Sequence, residues 1–550
     1  MRRCISICIV LTFLMAGLAL EALAEAPWAN IGANSARTYM SSWPGPGAEI
    51  TLLAKRATGH DPSTVLQPSL LEATVSEQGT VVVMTTMLFG YDSAGAEIFT
   101  CDLGPLGAEG TECGVMANDR IYAGAVNTLY AFDLNGNEAG EISIGDPRID
   151  HYLRTIGVGP LGEIIVPAFT DFASGQSLLF SISPQGELNW SLEGRYFGTP
   201  AVCPDGRILA FEYHGLKCIN PGGDMAWNSE YWPEGSSAVD AKRSLVLMRL
   251  SVDANSSIMA LHLDSGGVAW EFRFDTSRYH SPSQGHYYLP APLALDTERG
   301  QYYAVWEGGD VSCPTSYLLT ALNDSGELLW SKEWLSDRSK RYDLLREVTI
   351  DSSGLLYLFY SYTTFKQTVA QGCVCCVEVL SPEGELLAYK EYESPDATAE
   401  RLWTGGQAVI GTDRRIYMFA TDFEDPTLCS LYIFGPAGTE LPGEDDRPSI
   451  LSAGYGFSRV TTDAGGVLTI NAKVSHPLGA SNIEAVEVRL CGVPTGLCLL
   501  PGSKSDGEYS ISINVPAGFV PAGQFLLELV ARDKEGRTSN VWPYMTVAAE

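Results

Sequence analysis

Positive charge is scarce in this chain. Its 35 lysines and arginines stand against 66 aspartates and glutamates, a formal net charge of −31 over 550 residues. That balance excludes nucleic acid and anionic membrane surfaces as expected partners, because both are held through clusters of basic side chains. Beyond residue 24 no apolar run is long enough to cross a bilayer, so no membrane span is expected. Histidines number only seven. There is no Gly-x-Ser-x-Gly elbow, no His-Glu-x-x-His helix and no haem-attachment Cys-x-x-Cys-His. No catalytic residues, cofactor or metal are therefore expected. Within residues 28–440 no stretch repeats its apolar residues at the helical period, which argues against helical repeats.

What is present begins with a leader. Met1-Arg-Arg-Cys-Ile-Ser-Ile-Cys-Ile-Val-Leu-Thr-Phe-Leu-Met15 has a basic head and an apolar stretch, Glu21 ends the stretch, and Ala22-Leu-Ala24 offers small residues for cleavage. Residues 1–24 read as a signal peptide. No cysteine follows a lipobox-like sequence, so no lipid anchor is expected. The protein is expected to be exported, to the periplasm, the cell surface or the medium. In that oxidising setting three local cysteine pairs are expected to be bridged: Cys101 with Cys113, Cys203 with Cys218, and Cys491 with Cys498. Cys313, Cys373, Cys375, Cys376 and Cys429 are left without an assigned partner. Cys373 and Cys376 form a single Cys-x-x-Cys, which without a second pair does not make a zinc site.

The dominant signal is a repeat. Ala260-Leu-His-Leu-Asp-Ser-Gly-Gly-Val-Ala-Trp270, Ala321-Leu-Asn-Asp-Ser-Gly-Glu-Leu-Leu-Trp330, Ser181-Ile-Ser-Pro-Gln-Gly-Glu-Leu-Asn-Trp190 and Cys218-Ile-Asn-Pro-Gly-Gly-Asp-Met-Ala-Trp227 are its clearest copies. Its turn glycines fall at Gly95, Gly136, Gly186, Gly223, Gly266, Gly326, Gly384 and Gly438, spaced 37 to 60 residues apart. That is the span of a four-stranded propeller blade. A second hairpin signature upstream, as in Ala201-Val-Cys-Pro-Asp-Gly-Arg-Ile-Leu-Ala210, supplies the other two strands. Eight blades closing into a ring are expected, since closure protects sheet edges. The last copy is too short for a full outer strand, and the orphan strand at residues 48–54 is expected to complete it. Asp133-Leu-Asn-Gly-Asn-Glu138 has a passing look of a calcium loop but coincides with a repeat turn and lacks the remaining ligands.

The Ala-Leu-x-x-(x)-Gly-x-x-x-Trp unit resembles the repeat of pyrroloquinoline-quinone-type (PQQ-like) β-propellers, over roughly residues 28–440, and the segment from Trp28 to Pro46 looks like the entry of exported members. The resemblance implies that the repeat tryptophans lie between blades. It also raises a quinone-dependent oxidoreductase as the alternative function, with calcium, a catalytic aspartate and often a disulfide between adjacent cysteines. Cys375-Cys376 is such an adjacent pair, but neighbouring strand residues point to opposite faces, which disfavours a bond between them. In architecture alone the chain is similar to the propeller component of the outer-membrane β-barrel assembly machine.

The expected domains are a propeller over residues 25–441, a linker at 442–449 and a small β-sandwich over 450–550. Alternating segments such as Gly507-Glu-Tyr-Ser-Ile-Ser-Ile-Asn-Val515 give that last region strands covered on one face, in a pattern that resembles an immunoglobulin-like domain. The overall class is all-β. The longest repeats put their extra residues into Phe274–Tyr288, Glu307–Ser316 and Ser361–Gly372, read as connections on one face of the ring. Tyr279, His280, His286, Tyr287 and Tyr288 are the candidate rim residues for a ligand or partner. The expected function is a non-catalytic exported binding or scaffold protein whose partner is another protein or a cell-surface polysaccharide.

Overall fold

The repeat folds as it does because its glycine is required twice over. In the copy at 181–190, Ser183 N–H donates to Glu187 O at 2.8 Å, Gly186 N–H donates to Ser183 O at 2.9 Å, and Gly186 takes φ +86°. A bulge follows, so that Ile182 faces Leu188 but Ser181 faces Trp190. This is a tight hairpin with a glycine at the left-handed position, which L side chains avoid. The second requirement comes from the preceding blade. A Cβ on Gly223, Gly266, Gly326 or Gly384 would lie 2.8, 2.6, 2.6 or 2.7 Å from the ring of Trp190, Trp227, Trp270 or Trp330 respectively. Each indole N–H also donates into the turn it covers: to Pro221 O at 2.9 Å, Leu263 O at 2.7 Å, Asp324 O at 2.9 Å and Pro382 O at 2.8 Å. The tryptophans therefore join each blade to the next. Phe99 against Gly136 and Ile142 against Gly186 do the same where tryptophan is absent.

The computed structural model describes residues 37–549 except 58–72, 104–114, 144–155, 232–236, 274–285, 289–291, 310–315, 344–347, 395–407, 423–428, 442–448, 476–482, 502–506, 516–522, 535–538 and several shorter connections. Eight antiparallel sheets, each an up-and-down meander, make an eight-bladed β-propeller. Blade one runs Ala73–Val75, Val81–Met84, Met87–Tyr91 and Glu97–Asp102. Blade eight takes Ala408–Ile410, Ile416–Thr421 and Cys429–Pro436 from one end of the propeller, and its outer strand, Ile50–Ala57, from the other. Ile50 pairs with Pro436, Leu52 with Phe434 and Ala57 with Ser430, so the ring is closed by backbone hydrogen bonds between its two ends. The segment leading into that strand is pinned as well. Leu295 N–H donates to Thr38 O, Ile350 N–H to Tyr39 O, and Gly45 N–H to the Asp351 carboxylate.

Blades six and seven depart from the plain pattern. In each, the innermost strand comes in two pieces: His286–Tyr288 and Ala294–Asp296 in blade six, Lys340–Asp343 and Val348–Ile350 in blade seven. The outer piece pairs with an extension of the second strand, which runs Gln301–Gly309 in blade six and Leu356–Lys366 in blade seven. Ser361–Gly372 is therefore not a loop. The second and third strands stay paired from Leu356↔Leu380 to Lys366↔Val369, with one register shift between Thr364 and Phe365. The polar side chains that suggest a loop, Ser361 and Thr363, are fully buried on one face of this sheet.

Beyond the propeller, Ser449–Thr461, Gly465–Ser475, Glu508–Val515 and Leu500–Pro501 form one antiparallel sheet. Val493–Cys498, Ile483–Leu490, Gly523–Asp533 and Trp542–Ala549 form another. Ile450, Ile470 and Val474 of the first share an apolar cluster with Val486, Val488 and Leu529 of the second.

Candidate functional site: the seam between blades six and seven

The two faces of the ring are built differently. On the face carrying the first-to-second and third-to-fourth turns, side chains join neighbouring blades. Arg207 Nη1 donates to Leu263 O at 3.0 Å, Arg243 Nη1 to Thr297 O at 2.8 Å and Arg415 Nη1 to Ser93 O at 2.9 Å, in addition to the indole bonds. Asp133 belongs to this scheme. Its carboxylate accepts Asn135 N–H at 2.8 Å and Asn137 N–H at 2.9 Å, closing the turn. Slight burial opposes its ionisation, but the bonds from Asn137 and Asn135 outweigh it and hold the carboxyl below its ordinary value. It is a turn, with the donors a calcium loop would need already in use.

The opposite face carries the extended hairpins of blades six and seven, and between those blades lies a two-level cluster. On the blade-seven sheet, Tyr360 and Tyr362 alternate onto the same face as Cys376 and Glu378 of the third strand and Tyr389 and Glu391 of the fourth. Tyr342 and Lys340 join them from the added strand, opposite Tyr362 and Thr364. Blade six contributes Lys332 and Trp334 from its outer strand Leu328–Trp334.

The inner level is closed. Glu378, with 7% of its side chain exposed, pairs with Lys332 Nζ at 2.5 Å. It also accepts the Tyr360 hydroxyl at 2.6 Å and the Trp334 N–H at 3.3 Å. Trp334 and Tyr360 meet edge to face at 5.9 Å. Burial, then the Glu378 charge, push the Tyr360 hydroxyl far above its ordinary value. This level is a satisfied ion pair inside an aromatic wall, an arrangement that fixes one blade against the next.

The outer level reaches solvent. Tyr342 and Tyr362 meet at 5.8 Å, edge to face. Lys340 Nζ stands 3.5 Å from the Tyr362 ring centre and 4.7 Å from that of Tyr342. Glu391 Oε1 accepts the hydroxyls of Tyr362, at 2.9 Å, and of Tyr389. Tyr389 is 40% exposed. The Cys376 thiol lies 3.5 Å from the Tyr389 hydroxyl. Burial pushes that thiol up to about 12, although the Tyr389 bond pulls the other way. Tyr362 and Tyr389 are raised by burial and by their acceptors. The thiol and the two hydroxyls are thus held in their protonated forms at neutral pH, and the level presents ring faces beside a carboxyl group.

Of the rim residues expected from sequence, Tyr279 and His280 lie outside the described residues. The backbone of His286, Tyr287 and Tyr288 forms the added strand of blade six, paired with Gly309, Gly308 and Glu307. The blade-seven cluster was missed. The signal for it was the alternation Tyr360, Tyr362, Thr364 beside a second tryptophan, Trp334, four residues after the repeat one.

The cysteines also need correction. Cys203 and Cys218 are free thiols, both buried in one apolar cluster. Cys203 directly follows the first strand of blade four, Tyr196–Val202, and Cys218 lies on the third, with Ile208–Glu212 running between those strands. Two interstrand spacings of about 4.8 Å put their backbones beyond disulfide reach. The Cys101 thiol donates to Gly136 O at 3.2 Å. Cys113, Cys313 and Cys491 lie outside the described residues, and Cys498 is an exposed free thiol. Cys375 and Cys376 are also free. Cys376 faces blade six, while Cys375 is fully buried on the face turned to blade eight, where Phe359 meets Phe434 at 5.2 Å. The adjacent-cysteine disulfide implied by the quinone resemblance is not formed. Among the described residues no group of three His, Cys, Asp or Glu side chains converges to hold a metal ion.

No protein-family model matches the chain, and no curated protein matches it. Solved structures similar to it include a protein of unknown function from Bacteroides caccae, at 15% identity and a TM-score of 0.29 over 48% of this chain and 92% of that one. The WD40 domain of Neurospora crassa Pan2 is similar at 10% identity and a TM-score of 0.37, over 72% of this chain and 99% of that one. A prolyl endopeptidase is similar at 11% identity and a TM-score of 0.35, over 84% of this chain and 58% of that one. Identities and scores at this level carry no argument about what this chain does.

Proposed function

We propose that the chain is an exported, non-catalytic binding or scaffold protein that holds a protein or a surface glycan on the hairpin face of its propeller. The observation that carries this reading is the asymmetry of the ring. One face joins its blades with tryptophan and arginine side chains, whereas the other extends blades six and seven and lines their seam with aromatic rings and an exposed carboxylate. Rigid scaffolds place binding on elaborated loops and rims of this kind. In the same reading residues 1–24 are a removed signal peptide, the propeller is a PQQ-like one, and the two C-terminal sheets form an immunoglobulin-like sandwich. The alternative, a quinone-dependent oxidoreductase, rests on the repeat resemblance alone, and fold does not transfer activity.

The test is to incubate the mature protein with calcium and the quinone, then follow chromophore binding and dye reduction with alcohols and sugars. No turnover is the expected result. Stoichiometric quinone binding with turnover overturns the reading.

A further inference from the structure

We propose that the outer level of the blade six–seven seam is a cation cage, occupied in the free protein by its own Lys340, and that it takes an arginine side chain of a partner protein in place of that lysine. This rests on the binding-face reading above and names the chemistry of what is bound.

Three observations point to a cation. First, the rings of Tyr342 and Tyr362 already hold an ammonium, with Lys340 Nζ 4.7 and 3.5 Å from their centres, so their π faces are presented as cation–π walls. Secondly, the carboxylate beside those walls is half used. Glu391 Oε1 accepts the hydroxyls of Tyr362 and Tyr389, and among the described residues nothing donates to Oε2, although Glu391 is exposed. Glu393 follows two residues on, exposed on the same face of the strand. Thirdly, the whole chain carries a net charge of −31, which attracts basic partners and repels acidic ones.

The inner level shows how the same parts look when they are structural. There the lysine, the carboxylate, the tyrosine hydroxyl and the indole N–H are matched to one another, with the carboxylate 7% and the lysine 24% exposed. The outer level again combines a lysine, tyrosines and a carboxylate, but with no indole donor, one carboxylate oxygen open, one ring 40% exposed and its lysine on a four-residue strand at the sheet edge. Arginine fits better than lysine here. Its planar fork stacks on a tyrosine face while two N–H groups meet a carboxylate, which a single ammonium cannot do. A neutral glycan would use the exposed Tyr389 ring but has no charge to satisfy Glu391, so the geometry favours the peptide.

The test is calorimetric titration of the mature protein, at physiological salt, with a hexa-arginine peptide and separately with cellohexaose and chitohexaose. Each variant is first checked for an unchanged thermal melt. Hexa-arginine is expected to bind one to one. On the cation–π and charge-assisted scale, Glu391→Gln and Tyr389→Ala should each weaken it about 10-fold. Lys340→Ala should tighten it about 5-fold, because the internal competitor is gone. Lys242→Ala, which removes a lysine paired with Glu298 on the opposite face, should leave it within about twofold. Equal effects of Lys340→Ala and Lys242→Ala mean that only bulk charge attracts the peptide and overturn the cage. Oligosaccharide binding that Tyr389→Ala abolishes, without peptide binding, overturns the cation but keeps the binding face. Binding of neither probe overturns the cage, while the quinone assay separately decides the broader reading.

Discussion

Trp330 lies flat against Gly384 of the following blade, close enough that a Cβ on the glycine would sit 2.7 Å from the ring. Gly384 also holds φ +84°. Gly438 has a comparable φ of +79° but, among the described residues, nothing within 4 Å of its own Cβ position. The two glycines separate backbone strain from steric fit. Gly438→Ala is expected to lower stability by about 1 kcal/mol, the left-handed penalty alone. Gly384→Ala should lower it by about 2–4 kcal/mol, because the ring must also move. Urea midpoints of both variants give the comparison, and equal losses would show that the tryptophan contact adds nothing.

Gly438 stands clear because the residue that should cover it is small. Four residues beyond Gly384, where blade one places phenylalanine and blades three to six tryptophan, blade seven has Ala388. The ring of locks is therefore interrupted between blades seven and eight. Ala388→Trp is expected to fill the space and raise stability by about 1–2 kcal/mol, as cavity-filling changes do. Trp330→Ala should lower it by about 3 kcal/mol. A drop in melting temperature for Ala388→Trp would mean that the seam cannot take the ring.

The glycine repeat was readable in the sequence because two independent demands fall on one position, a left-handed turn and a neighbouring indole, and only glycine meets both. The tryptophans were readable for the same reason, as the partners in that contact. The aromatic seam was not. Its members, from Lys332 to Glu391, come from two blades and five strands, and no local spacing links Trp334 to Tyr360 or Lys340 to Tyr362. Reading Ser361–Gly372 as a loop hid it further, because Ser361 and Thr363 are polar yet buried between blades. The Cys203–Cys218 pairing failed on geometry of the same kind. Fifteen residues apart in sequence, they are two strands apart in the sheet.

Closure by the outer strand of blade eight makes a point change near residue 50 a test of the whole ring. Ile50 is 1% exposed and pairs with Pro436, and Leu52 N–H donates to the Tyr392 hydroxyl at 3.1 Å. Ile50→Ala is expected to cost about 3 kcal/mol through the cavity it leaves. Amide exchange should rise together along Ile50–Ala57 and Cys429–Pro436, since each strand protects the other. Faster exchange in the first strand alone would contradict closure through this pair.

High pH should open the fold through its buried hydroxyls. Tyr302 donates to Asp240 at 2.9 Å, Tyr357 to Asp351 at 2.9 Å and Tyr417 to Asp413 at 2.7 Å. Burial first, and the adjacent carboxylate second, raise all three well above the ordinary tyrosine value. Cys376 is pushed up to about 12, again by burial first. In the unfolded chain these groups lose their protons at roughly 8.5 for the thiol and 10 for the tyrosines. Above those values the unfolded state binds fewer protons than the folded one, so stability falls as pH rises; below them the contribution is fully present. The urea midpoint is therefore expected to stay level up to about pH 8 as far as these groups are concerned, then decline through pH 9 to 11. Tyrosinate absorbance from the buried set should appear only as the protein unfolds. Tyr357→Phe removes one of the groups and should make the decline shallower, even if the midpoint at pH 7 is lower for want of the Asp351 bond. A decline equally steep in Tyr357→Phe would assign the alkaline loss to other groups.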